Sequence, residues 1–145
     1  MNQTIATTDS LIVRAHAAEL IDEFFSRVDR AEPVRDLLTQ DAEFRGVQGR
    51  EAVTELLLSL AAKREATGRT TRHVASNLSV EALADGQYRV RSQVLVISQN
   101  TQPERDGELT AGDHDDIVQL GPDGVFRFRK RTMTPAFTLK LQLSE

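Results

Sequence analysis

The sequence predicts an α+β domain in which helices near the N-terminus cover one face of a curved, mainly antiparallel sheet. Two observations support this fold class. Apolar residues recur at steps of three and four as far as Lys63, and from Thr70 onward they alternate with polar residues between regularly spaced turns. Because the helices come first and the long hairpins follow, a βαβ dinucleotide fold is excluded.

Three helices are predicted in the first half of the chain. Asp9 or Ser10 offers an N-cap oxygen for the first long helix, which ends before Pro33 because proline cannot continue it. Pro33 can itself open a short second helix that runs through Leu38. The third helix is predicted over residues 50–63, where apolar side chains form a single stripe.

The predicted strands lie mainly in the second half, and turn residues set their limits. They span residues 42–47, 70–83, 87–99, 108–120 and 125–134. The Asp85-Gly86 pair predicts a tight hairpin. Residues 137–143 also alternate, but Pro135 interrupts them, so this segment is either a last edge strand or a docked tail.

Composition limits the chemistry that this chain can perform. Its 145 residues, 39% of them hydrophobic, suffice for one domain, predicted over residues 9–145 after a flexible N-terminus at residues 1–8. The absence of cysteine excludes thiolate nucleophiles, disulfides and cysteine-based metal sites. Any activity must therefore rest on carboxylates, imidazoles, hydroxyls and amines.

Charge and hydropathy exclude further classes of partner. A net charge of −4 and few aromatic residues argue against nucleic-acid binding. No apolar run approaches the ~20 residues of a membrane span, so no membrane partner is expected. The N-terminus does not resemble a signal peptide, and a cytoplasmic location is therefore expected.

Four local signatures carry a resemblance to a known family. They are Val28-Asp29 with Leu37-Leu38-Thr39-Gln40-Asp41-Ala42, Gly49-Arg50-Glu51-Ala52-Val53, Arg72-His73-Val74-Ala75-Ser76-Asn77, and Asp123-Gly124-Val125-Phe126-Arg127-Phe128. Over roughly residues 9–134 the chain resembles the nuclear transport factor 2-like superfamily, and within it the SnoaL-like branch of polyketide cyclases and scytalone dehydratase. The resemblance implies a cone-shaped fold whose helices close over the concave sheet face and leave a pocket for a small-molecule ligand. Enzymes, ligand carriers and structural subunits share this fold, so it implies no single reaction.

The resemblance also implies catalytic positions. It places a carboxylate just after the first helix, at Asp29, and an imidazole on the first long strand, at His73. A third position falls on Asp115. Phe126 stands where relatives typically carry Trp, which keeps an apolar wall but removes an N–H donor.

Strand geometry predicts which side chains accompany Asp115. A four-residue turn at residues 121–124 pairs Ile117 with Phe128, and alternate side chains of a strand share a face. The predicted pocket face carries Asp113, Asp115, Ile117, Phe126 and Phe128. The predicted outer face carries a ladder of charged groups, with His114 opposite Arg131 and Asp116 opposite Arg129.

Structural alternatives remain open for the catalytic candidates. Asp29 is also a preferred residue for ending a helix and beginning a turn, and a strand histidine is often a hydrogen-bonded packing residue. The predicted ligand-binding residues are Phe25, Asn77, Val94, Asp113, Phe126 and Phe128. No metal site is predicted in the acidic run at residues 113–116, because neighbouring strand side chains point to opposite faces and at most two carboxylates converge.

These residues predict a lyase or isomerase, dehydratase-like or cyclase-like, that needs no cofactor and acts on an apolar or aromatic carbonyl compound. Asp29 and His73 would exchange the proton and Asp115 or Asn77 would orient the substrate. The alternative is a non-catalytic ligand-binding or oligomerisation module of the same fold. A homodimer is expected through the outer sheet face, where Val118 and Leu120 are predicted among the charges.

Overall fold

The computed structural model describes residues 3–100 and 106–142. Within these ranges the helices are α1 (Gln3–Asp29) and α2 (Arg50–Ala66), with a 3-10 turn at Arg35–Leu37. The strands are β1 (Leu38–Phe44), β2 (Val47–Gln48), β3 (Arg69–Ala82), β4 (Gln87–Asn100), β5 (Asp106–Leu120) and β6 (Phe126–Gln142). They form one sheet in the order β2-β1-β6-β5-β4-β3, antiparallel except where β1 lies beside β6.

Both long helices pack against one face of this sheet and bury it. Ile21 and Phe24 of α1 meet Val94 and Phe128 of the strands in a single apolar cluster, to which α2 adds Val53. Burial of apolar surface on this scale is the main force that holds helices to a sheet. The predicted α+β fold class is confirmed, and among the described residues neither helix combines the length and apolar character needed to cross a membrane.

The ends of several elements differ from the prediction. α1 begins at Gln3 rather than at Asp9, and residues 3–8 contain no glycine or proline to interrupt a helix. The predicted second helix is only the 3-10 turn at Arg35–Leu37. The rest of residues 1–8, and residue 143 of the predicted tail, lie outside the described residues.

The segment after Pro135 is neither a separate edge strand nor a docked tail. β6 continues through Pro135 to Gln142 and pairs with β5 along its length. The register shifts between Ala111 and Gly112, where Ala136 bulges from β6. The bulge lets the ladder resume beyond the proline, which has no N–H to donate.

The β5–β6 hairpin differs from its predicted register by one residue. Its loop contains residues 121–125, and Val118 rather than Ile117 lies opposite Phe128. A shift of one residue exchanges the two faces of a strand. A bulge at Arg129 then moves the pairing once more.

The predicted faces of β5 are therefore exchanged. His114, Asp116 and Val118 are buried and point toward the helices. Asp113 and Asp115 lie on the outer face instead. The prediction that these two carboxylates share the pocket face is wrong.

The exchange brings Arg131 into the interior, where it meets Asp116. The two residues are 2% and 0% exposed, and Nε and Nη2 of Arg131 donate to the two carboxylate oxygens over 3.1 and 3.0 Å. The predicted outer ladder of His114 with Arg131 and Asp116 with Arg129 is wrong. Three other basic residues of β6 pair elsewhere, Arg127 with Asp123, Arg129 with Asp41 and Lys130 with Glu43.

Neutralising Asp116 is predicted to cost far more stability than neutralising its neighbour Asp115. Asp116→Asn leaves the buried Arg131 without a counter-charge, which lowers the free energy of unfolding by about 3–5 kcal/mol. Asp115→Asn removes a surface ion pair worth at most about 1 kcal/mol. Urea unfolding at neutral pH measures both, and equal losses would contradict the register. If Asp116→Asn does not fold, the double variant Asp116→Leu with Arg131→Met should, because it removes both buried charges.

Candidate active site

An apolar cavity of about 100 Å³ lies between α1, α2 and the inner face of the sheet. Phe25, Leu57 and Met133 contribute to its wall, and the imidazoles of His73 and His114 also line it. Two titratable rings in a largely apolar cavity form the kind of arrangement expected of a ligand-binding or catalytic site.

Asp29 and His73 form a close hydrogen-bonded pair beside this cavity. Oδ1 of Asp29 lies 2.6 Å from Nδ1 of His73, and Oδ2 accepts a 3.0 Å hydrogen bond from the backbone N–H of His73. Both side chains are largely buried, with 10% and 14% of their surfaces exposed. The carboxylate therefore holds the ring at one nitrogen and leaves Nε2 for another partner.

Phe25 holds the same imidazole from its face. Its ring stacks on His73 with a centroid distance of 4.8 Å and an interplanar angle of 5°, and it meets His114 edge to face at 5.6 Å. Phe25 and Asp29 are four residues apart on α1 and so lie on the same side of the helix. One helix turn thus supplies both contacts that orient His73.

His114 is the site residue that the sequence interpretation placed on the wrong face. It is 6% exposed, and burial lowers the pKa of its imidazole below the ordinary value of 6.5 despite the nearby Asp116 carboxylate. Nδ1 lies 3.6 Å from the Asp116 carboxylate, too far for a hydrogen bond, and has no partner within the described residues. A neutral imidazole on the cavity wall can exchange a proton with a ligand.

Arg131 lies behind the cavity wall and supports it. Its guanidinium lies over the rings of Phe24, Phe25 and Phe128, 4.2 to 4.9 Å from their centroids. Such cation–π contacts strengthen in a desolvated site. Nη1 of Arg131 has no hydrogen-bond partner in the part of the chain that the structure describes.

Three of the predicted polar site residues lie away from the cavity. Asp115, proposed as the third catalytic group, accepts two hydrogen bonds from Arg89 on the outer face, and this pairing lowers its pKa. Asp113 is exposed on the same face. Asn77 is exposed at an irregularity of β3 and donates to Gln93 over 2.5 Å. The observed register of β5 explains why Asp113 and Asp115 lie on the outer face.

The four predicted apolar ligand contacts lie in three different places. Phe25 lines the cavity, whereas Val94 and Phe128 are buried in the core behind it. Phe126 is half-buried and packs against His16 and Tyr88. No cluster of three or more His, Asp or Glu side chains that could hold a metal occurs among the described residues.

Comparison with known proteins gives matches among solved structures. No family model matches the sequence, and no curated protein matches it. A scytalone dehydratase-like protein from Novosphingobium aromaticivorans superposes with a TM-score of 0.77 at 24% identity, covering 94% of this chain and 93% of that one. ActVI-ORFA from Streptomyces coelicolor gives 0.75 at 21% identity, covering 86% and 95%. A type 2 hexachlorocyclohexane dehydrochlorinase, LinA, gives 0.74 at 21% identity, covering 96% and 97%.

Identities below 25% establish a shared fold and leave activity to be argued from the site. That argument starts from the cavity that lies between the helices and the sheet of this chain. Along most of its length, therefore, this chain shares the fold of these solved structures, an α+β fold whose helices cover one face of a curved sheet, as the sequence predicts.

Proposed function

We propose that this protein is a lyase or isomerase that abstracts a proton next to a carbonyl group of a small compound. The observation that carries the proposal is the 2.6 Å contact between Asp29 and His73 at the edge of an apolar cavity. A carboxylate bound to one imidazole nitrogen directs the other nitrogen to act as a base. The fold neighbours named as dehydratase and dehydrochlorinase support an elimination as the reaction class.

The geometry supports His73 as the base and Asp29 as the residue that orients it. Each oxygen of Asp29 already contacts His73, one at the ring and one at the backbone N–H, which favours the orienting role for this carboxylate. In a dehydration, Nε2 takes the proton on the carbon next to the carbonyl, and the electron pair moves into an enolate. The hydroxyl on the neighbouring carbon then leaves with that proton as water. The Asp29 carboxylate stabilises the imidazolium between the two steps.

His114 supplies a second polar contact on the same cavity. As a neutral ring it can donate a hydrogen bond to the carbonyl oxygen, where negative charge develops. The ring of Phe25 contacts both imidazoles, face to face with His73 and edge to face with His114, so one aromatic side chain orients both.

Exchange of α-protons in 4-hydroxy-2-butanone tests the proposed base. The native protein should accelerate exchange with D₂O and release the enone, and Asp29→Asn and His73→Gln should each slow exchange by about 10²–10⁴-fold. Proton NMR follows the exchange. Asp115→Asn is the matched control and should leave the rate unchanged. Equal rates in the native protein and both dyad variants would refute the mechanism.

The lowered pKa of His114 predicts a pH-dependent stability. As the pH falls below about 6.5, the unfolded chain binds a proton at this residue before the folded protein does, so the free energy of unfolding decreases. The decrease is at most about 1.4 kcal/mol per pH unit for one proton. Above this range the contribution of His114 is constant.

Urea unfolding between pH 5 and 7.5 measures this effect. His114→Gln should reduce the slope of the free energy of unfolding against pH. His73, Asp116 and Arg131 lie close to His114 but remain in place in this variant, so the change in slope reports on His114. His16→Gln is the control, since His16 is exposed and its loss should leave the slope intact. An unchanged slope in His114→Gln would contradict the proposal.

We also propose a homodimer through the outer sheet face, on a different observation. Apolar side chains from β3 to β6 are aligned there by the strand register: Val74, Leu95, Ile97, Leu109, Phe137, Leu139 and Leu141. Phe137 and Leu139 are 53% and 51% exposed. A continuous exposed apolar patch is typical of an interface. Val118, which was expected there, is buried instead.

Sedimentation equilibrium at micromolar concentration tests this interface. The native chain should have the mass of two chains, and Leu139→Lys should shift it to one, because a charge in the centre of an apolar contact is costly. Thr138→Lys places the same charge on the opposite face and should leave the dimer intact. A native mass of one chain would refute the interface.

A further inference from the structure

A second, larger cavity lies beside the apolar cavity. It has a volume of about 370 Å³ and is located where the ends of α1 and α2 meet the free edge of β3. Asp29 lines this cavity, His73 lines the apolar one, and Arg64 lines both. The hydrogen-bonded pair of Asp29 and His73 therefore stands at the boundary between the two spaces.

The charge of this second cavity is opposite to that of the chain. Its charged lining residues are Arg30, Arg64, Arg69, Arg72, Asp29 and Glu65, four cations against two carboxylates. The whole chain carries −4. A concentration of guanidinium groups in one concave region favours an anionic ligand, because a cleft focuses the field of its charges.

Two of these arginines have no carboxylate partner within the described residues. Nη2 of Arg64 donates to the Val28 carbonyl over 3.1 Å, and Nη1 of Arg72 donates to the Thr71 carbonyl over 2.9 Å. Each guanidinium keeps further N–H donors. The other two are already paired with acids, Arg30 with Glu32 at 2.8 Å and Arg69 with Glu108 at 3.6 Å.

Helix stabilisation does not account for the whole cluster. α1 and α2 both end near this cavity, and Arg30 and Arg64 offset the partial negative charge of those ends. Arg72 belongs to β3 and has no such role. Its side chain starts on the outer face of the strand, but Nη1 donates to the Thr71 carbonyl at the open edge, and the residue lines the cavity together with Arg64.

The edge of β3 adds donors to the same wall. The backbone N–H of His73 points away from β4 and donates to Asp29. Alternate residues of an edge strand direct their N–H groups to the same side, so that of Thr71 faces the open edge as well. The Thr71 hydroxyl has no hydrogen-bond partner within the described residues. Thr71 thus adds an edge N–H to the cavity that it lines with Arg64 and Arg72, whereas its hydroxyl is buried.

We propose that this arginine-lined cavity binds an anionic group, a carboxylate or a sulfate or phosphate ester, of a ligand whose uncharged part enters the apolar cavity. The apolar cavity of about 100 Å³ is smaller than the ~150 Å³ that encloses a benzene ring, so a larger ligand needs the adjoining space. Arg64 and Arg72 bind the anion, and Asp29 and Glu65 limit the site to one such group. The substrate class that follows, an acidic carbonyl compound, rests on the function proposed above.

Titration of the ¹⁵N-labelled protein with benzoate, benzamide and sulfate tests the anion site without turnover. Benzoate should shift the backbone amide signals of residues 68–72 saturably at millimolar concentration, and benzamide, its uncharged analogue, should bind at least about tenfold more weakly. Arg64→Gln and Arg72→Gln should each weaken benzoate binding by about fivefold or more. Arg89→Gln is the matched control, since Arg89 pairs with Asp115 on the outer face, and it should leave binding unchanged. Arg72→Gln changes an exposed side chain, so it reports on binding even if Arg64→Gln destabilises the fold.

The outcomes separate this inference from the proposed reaction. Tighter binding of benzoate than of sulfate assigns the site to organic carboxylates, and tighter binding of sulfate assigns it to tetrahedral oxyanions. Either result supports the anion site. Equal affinities for benzoate and benzamide, no saturable shift with either anion, or arginine variants that bind like the control would overturn it. Anion binding together with α-proton exchange that is independent of Asp29 and His73 would instead refute the reaction alone.

Discussion

The buried ion pair between Arg131 and Asp116 is the interaction on which the arrangement of the pocket depends. Two charges removed from water are tolerated only when they satisfy each other, so the β5–β6 hairpin adopts the register that brings them together. That register places His114, two residues before Asp116, on the same inward face. The guanidinium also supports Phe25, which in turn contacts both imidazoles. A pair that never touches the cavity thereby determines which groups line it.

The sequence predicts the parts of the fold that depend on apolar periodicity. Helical spacing identifies α1 and α2, and alternation identifies β3 to β6, because in each case burial of one face is the dominant free energy. Local turn chemistry is equally readable: Asp85 and Gly86 adopt the positive φ values of 58° and 70° that a tight hairpin requires. The expected proximity of Asp29 and His73 came from resemblance, and the structure brings them together, while their catalytic role remains a proposal.

The register of β5 could not be predicted, and the third catalytic candidate failed with it. Residues 113–116 are polar on both faces, so hydrophobic patterning favours neither. The loop has five residues where four were expected, and the bulge at Arg129 has no glycine or proline to mark it. The sequence signal for the observed register is the pair of Asp116 and Arg131. A carboxylate and an arginine that can meet inside a sheet favour the register that brings them together over the neighbouring registers. For this reason His114, rather than Asp115, faces the cavity.

The last turn of α1 carries both groups that hold His73, and this has a consequence for cooperativity. Phe25 and Asp29 lie one helix turn apart, and Arg64 donates a hydrogen bond to the Val28 carbonyl of that turn. Helix ends are the regions that open most readily by local unfolding. Fraying of this turn releases the stacked ring and the carboxylate in one event, and it removes Arg64 from its anchor. The two cavities and the imidazole between them are therefore coupled through this one turn of helix.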